Sequence, residues 1–213
     1  QGVEIFPAGH QLRPEDLGVM VAAGLGEVCV FKPLKVAVIS TGAELRASGQ
    51  AARVDQIFDA NRPMLCALLR RWGMEVVDIG IVPDEAAAVR AALDQAAERA
   101  DVILTSGGAS AGDEDHMSAV LRAGGGMALW RIAVKPGRPL ALGVWGGVPV
   151  FGLPGNPVAA FVCTLIFARP ALLQLAGAGF QMPKAPLLPE NGSNASTKLS
   201  APVFAILSNY CNK

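Results

Sequence analysis

The chain alternates between short apolar runs and longer segments whose apolar residues recur at helical spacing. The apolar runs predict strands at residues 35–40, 75–82, 102–105, 127–134, 140–144 and 148–151. The helical spacing predicts helices that begin near residues 13, 59, 85, 117 and 158. Strands and helices that alternate in this way build a mostly parallel sheet with helices on both faces. We therefore predict an α/β fold with three layers, α/β/α.

Two of the predicted helices carry clear apolar faces, and a third is apolar along its length. The helix after Asp59 is expected to end at Gly73 and to bury the stripe Leu65, Leu68, Leu69 and Trp72. The helix at 85–100 is expected to bury Val89, Ala92, Leu93 and Ala96. Asp94 and Glu98 fall on its polar face, where we expect ordinary solvated charges. The last helix, Val158 to Leu175, is expected to bend near Pro170.

The sequence changes character towards both ends. Residues 1–33 are expected to be the remnant of a preceding domain followed by a linker, with His10 in a loop. Residues 34–178 hold the alternating elements and form the predicted α/β domain. Residues 179–213 are rich in Pro and then in Asn and Ser, which is typical of an unrelated or disordered tail.

Charge and hydropathy exclude two classes of partner. Lys+Arg and Asp+Glu number 18 each, so the formal net charge is zero and no basic excess favours nucleic acid. The longest apolar stretch, 158–168, is shorter than the ~20 residues of a spanning helix, which predicts no membrane association. The four cysteines form no Cys-x-x-Cys pair, which is typical of free thiols in a reducing compartment. We therefore expect a cytoplasmic location.

The stretch from Ser106 to Asp115, between the strand at 102–105 and the helix near 117, is the strongest candidate for chemistry. A Gly/Ser loop between a strand and a helix presents backbone N–H groups and hydroxyls to an anion such as phosphate. Its last three residues are acidic. Acids beside a phosphate cradle are expected where a metal or an oxyanion is handled next to a phosphorylated ligand. The alternative is a surface turn in which Asp115 caps a helix.

Acidic residues also follow two other predicted strands. Glu44 and Asp84 each lie just beyond a strand, as Asp115 does, and Asp59 lies at a helix start. Ligands of open α/β sheets bind outside the carboxyl ends of the strands, so these acids are expected to share one site. Clustered carboxylates repel unless a cation or protons lie among them, and Mg²⁺ is the natural counter-charge.

Two proline-rich loops follow later strands and are candidates for binding an anion. Prolines at 154 and 157 restrict the backbone, so that Gly155 and Asn156 are expected to form a sharp turn with free N–H groups at a helix start. In the loop 135–139, Lys135 and Arg138 offer the positive charge that a phosphate needs. The alternative for both basic residues is a solvated loop.

Five motifs now stand in order along the chain. They are Ser40–Leu45, Asp59–Arg62, Ser106–Asp115, Lys135–Pro139 and Gly152–Pro157. Together they resemble the molybdopterin molybdotransferases, the MoeA proteins of bacteria and the gephyrin E domain, over about residues 1–178. The resemblance implies the molybdopterin-binding, MogA-like fold. It also implies a transferase that inserts molybdate into adenylylated molybdopterin and releases AMP with the help of Mg²⁺.

The resemblance also implies roles for individual residues. Glu44, Asp84 and Asp115 would be the catalytic acids around molybdate and the metal. The implied cofactor-binding residues come from all five motifs: Thr41, Gly42, Asp59, Ser106, Gly107, Gly108, Ser110, Lys135, Gly137, Arg138, Pro154, Gly155, Asn156 and Pro157. The implied partners are the molybdopterin nucleotide, molybdate, a second copy in a full-length homodimer, and a partner adenylyltransferase.

Members of this family are longer, with an amino-terminal two-part region and a carboxy-terminal β-domain. Only the tail of the first is expected here, at residues 3–30, and residues 180–213 do not resemble the second. Whether this chain completes the reaction by itself is therefore open. Two alternative functions stay open as well. One is a molybdopterin adenylyltransferase, which resembles MogA and the gephyrin G domain, and the other is a non-catalytic pterin- or receptor-binding module of the same fold.

Overall fold

The computed structural model describes residues 3–107, 116–124, 127–131 and 139–178. Pro33–Ala168 forms one compact unit, and the described residues within Gln1–Lys32 and Arg169–Lys213 form a second. The predicted domain bounds at residues 33 and 178 stay a prediction.

The strands of the larger unit are β1 Lys35–Thr41, β2 Leu45–Arg46, β3 Ile57–Phe58, β4 Glu75–Val82, β5 Val102–Ser106, β6 Met127–Arg131, β7 Pro139–Trp145 and β8 Val148–Leu153. Its helices are α2 Asn61–Arg71, α3 Ala86–Arg99, α4 His116–Ala123 and α5 Pro157–Cys163, the last continued by a π-helical turn, Thr164–Ala168. The smaller unit contains α1 Pro14–Ala22 and α6 Arg169–Leu175. Apart from β2 and β3, the order of strands and helices agrees with the order expected from hydrophobic periodicity.

Six strands form the main sheet in the order β4-β1-β5-β8-β7-β6. Strands β4, β1, β5 and β8 are parallel, whereas β7 is antiparallel to both of its neighbours. Helices α3 and α4 pack together on one side of the sheet, and α2 contacts both α5 and the strands β1 and β4. The predicted three-layer α/β/α architecture with a mostly parallel sheet is confirmed.

The central strands are buried because both of their faces are covered. Val36 to Thr41 are buried along β1, and all five residues of β5 are buried. Such strands read as continuous apolar runs rather than as alternating ones. The polar exceptions, Ser40, Thr41, Thr105 and Ser106, all stand at the carboxyl ends of β1 and β5. Polar side chains therefore enter the interior where these two strands end.

Helix α2 ends as its sequence predicts. Gly73 has φ +78°, its N–H donates to the Arg70 carbonyl oxygen at 3.0 Å, and the Met74 N–H donates to the Leu69 carbonyl oxygen at 3.1 Å. This is a Schellman motif, which needs a residue that tolerates positive φ. The predicted stripe is wrong at Leu68 and Trp72, which are only half-buried. The buried apolar residues of α2 are Leu65, Cys66 and Leu69.

Trp145 joins the hairpin of β7 and β8 to α3. Its indole Nε1–H donates to Asp94 Oδ1 at 2.7 Å, and the Arg90 guanidinium lies 5.2 Å from the ring centroid. Asp94 is exposed, as expected of a solvated charge, but it also has a structural partner, because its carboxylate accepts this hydrogen bond from a buried indole. The hairpin itself turns at Gly146 and Gly147, with φ +53° and +87°, as a two-residue turn of this type requires.

In the smaller unit, Asp16 holds the start of α1. Its carboxylate accepts hydrogen bonds from the Arg13 backbone N–H at 2.9 Å and from the Arg13 Nε–H at 3.3 Å, and its Oδ2 lies 2.8 Å from His10 Nε2. These bonds hold the pKa of Asp16 well below its usual range, and the side-chain bond from Arg13 has the largest effect. His10 is a loop residue, as expected.

The helical run Pro157–Leu175 is 19 residues long, and an 18-residue stretch of it has a mean hydropathy of 1.8 and is 44% buried. By length and composition it satisfies the criterion for a membrane span, which the core helices of soluble proteins satisfy as well. The predicted lack of membrane association therefore stays a prediction. The π-helical turn falls just before Pro170, near the expected bend, and the Thr164 hydroxyl donates to the Ala160 carbonyl oxygen at 2.6 Å.

Candidate functional site

The loops that follow β1, β4, β5 and β8 all begin at one edge of the sheet, called here the carboxyl edge. The strand register aligns Thr41 with Val82 and Ser40 with Ser106, and it aligns Ser106 with Leu153. The loops after these strands therefore start side by side. The opposite edge, where these strands begin, is called the amino edge.

Gly107 brings the loops after β5 and β1 into direct contact. It has φ +85°, and a Cβ placed there would collide with the Thr41 carbonyl oxygen. Gly42 is also crowded, because a Cβ there would lie 2.8 Å from Glu44 Oε2. The Glu44 carboxylate thus folds back over Gly42. Only glycine fits at Gly107 without a shift of the backbone.

The described residues contain five buried side-chain polar atoms that have no hydrogen-bond partner, and all five lie at the carboxyl edge. They are Ser40 Oγ, Thr41 Oγ1, Asn61 Oδ1, Asp84 Oδ1 and Thr105 Oγ1. Such groups are rare in native proteins, because each loses its bonds to water without compensation. Their confinement to one edge is the pattern expected of a ligand site rather than of a structural defect.

Two short strands fix the loop after β1 against the segment before α2. β2 and β3 are parallel, the Ile57 N–H donates to the Glu44 carbonyl oxygen at 2.8 Å, and the Asp59 N–H donates to the Arg46 carbonyl oxygen at 2.8 Å. Neither strand was predicted, since each has only two residues. This pairing sets the backbone positions of Glu44 and Asp59.

Asp59 is 5% exposed, and the described hydrogen bonds of its side chain are with Arg62. Its carboxylate accepts from the Arg62 N–H at 3.1 Å and from the Arg62 Nε–H at 3.1 Å, while Arg62 Nη1 donates to Asp78 Oδ2 at 2.6 Å. Burial lowers the pKa of Arg62, but the bonds and charges of Asp78 and Asp59 outweigh it and raise that pKa above its usual value. Asp59 thus holds the start of α2, and its contact with a cofactor stays a prediction.

Asn61, a neighbour of Asp59 in the same motif, was not predicted as a site residue. It is 7% exposed, and its Nδ2 donates to Ser106 Oγ at 2.6 Å and to the Gly155 carbonyl oxygen at 2.7 Å. One amide thereby joins α2 to the loops after β5 and β8. The signal in the sequence is the motif Asp59–Arg62 itself, which contains this amide as well as the acid.

A cleft of about 560 Å³ opens where β1 and β4 end. Its lining contains Gly42, Arg46, Arg62, Asp84 and Glu85 together with Ala43, Leu45, Ala47, Gln50, Ile81 and Pro83. Two of the residues predicted for the site, Gly42 and Asp84, therefore meet in one cleft. Glu44 is exposed and does not line it.

The loop after β8 presents three of its four predicted residues to solvent. Pro154 is buried, whereas Gly155, Asn156 and Pro157 are exposed. Asn156 Oδ1 accepts from the Ala159 N–H at 3.1 Å and so caps α5. The predicted residues Gly108, Ser110, Asp115, Lys135, Gly137 and Arg138 lie outside the described residues.

No group of three or more His, Cys, Asp or Glu able to hold a metal occurs among the described residues. Glu44 and Asp84 follow neighbouring strands, so two of the three predicted acids stand at the same edge. The third, Asp115, is outside the described part of the chain.

Comparison with known proteins agrees with this geometry. A family model described as "Probable molybdopterin binding domain" matches residues 37–174, which include the described loops of the carboxyl edge. The molybdopterin molybdenumtransferase of Haemophilus influenzae is 39% identical over 177 residues, covering 83% of this chain and 44% of that protein. The chain spans about half the length of the curated relatives it matches.

Two solved structures show the same fold. The MoeA protein of Pyrococcus horikosii, titled a molybdopterin biosynthesis protein, has a TM-score of 0.71 and 34% identity, covering 79% of this chain and 42% of that one. The tungsten cofactor synthesizing protein MoaB of Pyrococcus furiosus has a TM-score of 0.51 and 23% identity, covering 69% of this chain and 98% of that one. This is a likeness of fold alone. With most of its sheet and helices inside the family match, the chain belongs to the molybdopterin-binding domain family.

Proposed function

We propose that this chain is the pterin-binding domain of a molybdopterin molybdotransferase, which inserts molybdate into adenylylated molybdopterin and releases AMP. The observation that carries the proposal is the gathering of buried, unpartnered polar atoms at the carboxyl edge. A phosphorylated, polar ligand offers hydrogen-bond partners to such an edge. The names of the curated relatives, molybdopterin molybdenumtransferases, supply the reaction class.

The phosphate of the ligand is assigned to the loop that begins at Ser106. Ser106 is buried at the end of β5, and Gly107 allows the backbone to turn sharply against Thr41. A loop of this kind directs backbone N–H groups and a hydroxyl at an anion. The neighbouring residues Gly108 and Ser110 continue this role in the proposal.

The pterin side of the ligand is assigned to the proline loops. Gly155, Asn156 and Pro157 are exposed at the carboxyl edge, and Asn61 holds the Gly155 carbonyl group in place. From the loop 135–139, Lys135, Gly137 and Arg138 are proposed to contribute backbone and positive charge to the same ligand. Cations there would offset the charge of the phosphate.

Glu44 and Asp84, which follow neighbouring strands, are assigned to a Mg²⁺ ion that arrives with the nucleotide. Mg²⁺ is commonly held by one or two carboxylates plus phosphate oxygens, so a complete set of protein ligands is not needed. Asp84 Oδ1 is buried without a described partner and is therefore available to a cation. When bound, the ion neutralises charge on the phosphate oxygens. Asp115 would complete the set of acids, and these three carboxylates are proposed to orient molybdate and water.

The remaining assignments follow from the resemblance and are proposals as well. They are a homodimer of the full-length protein, a partner adenylyltransferase that supplies the nucleotide, and a cytoplasmic location.

Calorimetry with the full chain tests the proposal. AMP and molybdopterin are titrated separately, with and without molybdate and Mg²⁺, and we expect binding that Mg²⁺ strengthens. Asp115→Asn should remove the effect of Mg²⁺ and molybdate while lowering the melting temperature by only about 2–4 °C, the equivalent of one helix cap.

Other outcomes would contradict the proposal. Turnover of ATP and bare molybdopterin without molybdate would identify an adenylyltransferase instead. Binding of a receptor peptide without affinity for AMP or molybdopterin would identify a non-catalytic module.

A further inference from the structure

Asn61 joins three segments that are far apart in the sequence. Its Nδ2 donates to Ser106 Oγ, 45 residues away, and to the Gly155 carbonyl oxygen, 94 residues away. The side chain lies at the first residue of α2 and is 7% exposed. A single buried amide thus sets the spacing between two of the loops assigned to the ligand.

The direction of these bonds can be assigned. A carbonyl oxygen only accepts, so the nitrogen of the Asn61 amide must face Gly155. That nitrogen has two hydrogens, one for Gly155 and one for Ser106. Ser106 Oγ is therefore the acceptor in its bond with Asn61, and no described residue accepts its own hydrogen. The Ser106 hydroxyl is left as a donor for another acceptor.

A purely local role does not explain Asn61. The N-cap of α2 is Ala60, and the carboxylate of Asp59 already accepts the Arg62 N–H of the first turn. Asn61 Oδ1 is buried without a partner among the described residues, a cost that an apolar residue of similar size would avoid. The side chain therefore serves the two loops rather than the helix.

We infer that Asn61 is a positioning residue, which acts through Ser106 by holding its hydroxyl as a hydrogen-bond donor to a phosphate oxygen of the ligand. The same amide holds the Gly155 loop at a fixed distance from Ser106. The inference rests on the proposed function, since the phosphate is that of the nucleotide or the pterin. The contact lies in a buried setting, where a hydrogen bond to a charged oxygen is stronger than in water.

A double-mutant cycle with Ser106 tests the inference. The affinity of the full chain for AMP is measured by calorimetry for wild type, Asn61→Ala, Ser106→Ala and the double variant. We expect each single change to weaken binding by about ten- to a hundredfold, the value of a hydrogen bond to a charged group. If Asn61 acts through Ser106, the double variant binds no more weakly than Ser106→Ala. If the double variant instead loses affinity by the product of the two single losses, the two residues act independently and the inference is wrong.

Asn61→Asp gives a second, pH-dependent readout. The introduced carboxylate only accepts, so it takes the Ser106 hydrogen for itself and repels the Gly155 carbonyl oxygen. As the pH falls and the carboxyl takes up a proton, it can donate again, and we expect affinity relative to wild type to recover. If the ratio of the AMP affinity of Asn61→Asp to that of wild type does not change with pH, the proposed bond direction is wrong.

The controls separate the possible failures. Thr164→Val removes another buried hydrogen bond, between Thr164 Oγ1 and the Ala160 carbonyl oxygen, and should leave AMP affinity unchanged. If wild type binds neither AMP nor molybdopterin, the proposed function fails and the inference fails with it. If wild type binds and Asn61→Ala binds equally well, only the inference fails. If neither Asn61 variant folds, Asn61 is a structural residue and the inference is wrong.

Discussion

The two edges of the sheet differ in how their polar groups are paired. At the amino edge they have partners: at the exposed start of β1 the Lys35 N–H donates to Asp101 Oδ2 at 2.8 Å and the Asp101 N–H donates to the Lys35 carbonyl oxygen at 2.8 Å, and the buried Trp145 indole donates to Asp94. At the carboxyl edge, five buried side-chain atoms of the described residues have no partner. The same strands therefore begin in a satisfied environment and end in an unsatisfied one.

This difference separates stability from function within one sheet. Paired polar groups and packed aromatic rings stabilise the fold, whereas unpaired buried groups cost about 1–3 kcal/mol each. A protein keeps such groups where a ligand supplies the missing partners. Loss of packing at the amino edge should therefore lower the free energy of unfolding, whereas loss of a polar group at the carboxyl edge should weaken ligand binding. The four predictions below test this division.

Trp145→Ala should have the largest effect on stability. The side chain is 6% exposed, and its removal should lower the free energy of unfolding by about 3–5 kcal/mol through loss of burial and a cavity. Urea denaturation measures this loss, and AMP affinity at a temperature where the variant is folded should stay unchanged. Asp94→Ala, which removes only the hydrogen-bond acceptor, should cost about 1.5–3 kcal/mol. Weakened AMP binding by folded Trp145→Ala would break the division between the edges.

Gly107→Ala should affect both stability and binding. A Cβ there meets the Thr41 carbonyl oxygen, and the residue has φ +85°. We therefore expect the free energy of unfolding to fall by about 1–3 kcal/mol and AMP binding to become at least tenfold weaker. Gly73→Ala is the matched control, because Gly73 has φ +78° with nothing within 4 Å of its Cβ position. It should lose about 1 kcal/mol and bind AMP normally. Equal effects of the two changes would mean that the contact with Thr41 is unimportant.

The sequence predicted where the loops after β1, β4, β5 and β8 begin, because that prediction needs only local patterns. Strands of a parallel sheet end at the same edge, so an apolar run followed by Gly, Ser or an acid predicts both the strand and the position of its loop. The end of α2 at Gly73 was predictable for the same reason. Glu44, Asp84, Ser106 and Gly155 accordingly lie at the edge where their motifs were expected.

What escaped prediction depends on contacts between distant segments. The bonds of Asn61 to Ser106 and Gly155 leave no periodic signal, and neither does the bond from Trp145 to Asp94. Strands β2 and β3 are too short to produce a pattern of alternation. Asp94 stood on a polar helix face and was therefore expected to be solvated, although the hairpin folds back onto that face. Local patterns predict elements, whereas these partners are chosen by the packing of the whole domain.

Thr105→Val should stabilise the fold and impair the site. Thr105 is 0% exposed and its hydroxyl has no described partner, so replacing it with a methyl group should raise the free energy of unfolding by about 1 kcal/mol. Thr164, also 0% exposed, does have a partner, so Thr164→Val should lower the free energy of unfolding by about 1 kcal/mol. Thermal unfolding compares the two changes, and AMP titration should show weaker binding only for Thr105→Val. A loss of stability in both variants would show that the Thr105 hydroxyl is satisfied in the folded protein.

Glu44→Gln should have the smallest effect on stability and a selective effect on the metal. The side chain is exposed, so the free energy of unfolding should change by less than about 0.5 kcal/mol. Removal of its charge should raise the Mg²⁺ concentration that half-maximally strengthens AMP binding, while binding without Mg²⁺ stays the same.

Glu75→Gln is the matched control at the amino edge, where Glu75 makes only a 3.7 Å surface pair between its Oε1 and Lys35 Nζ. Because both changes remove one exposed carboxylate, nonspecific charge effects should shift the two Mg²⁺ titrations alike. A shift in Glu44→Gln alone assigns the ion to the carboxyl edge, and equal shifts would remove Glu44 from the metal site.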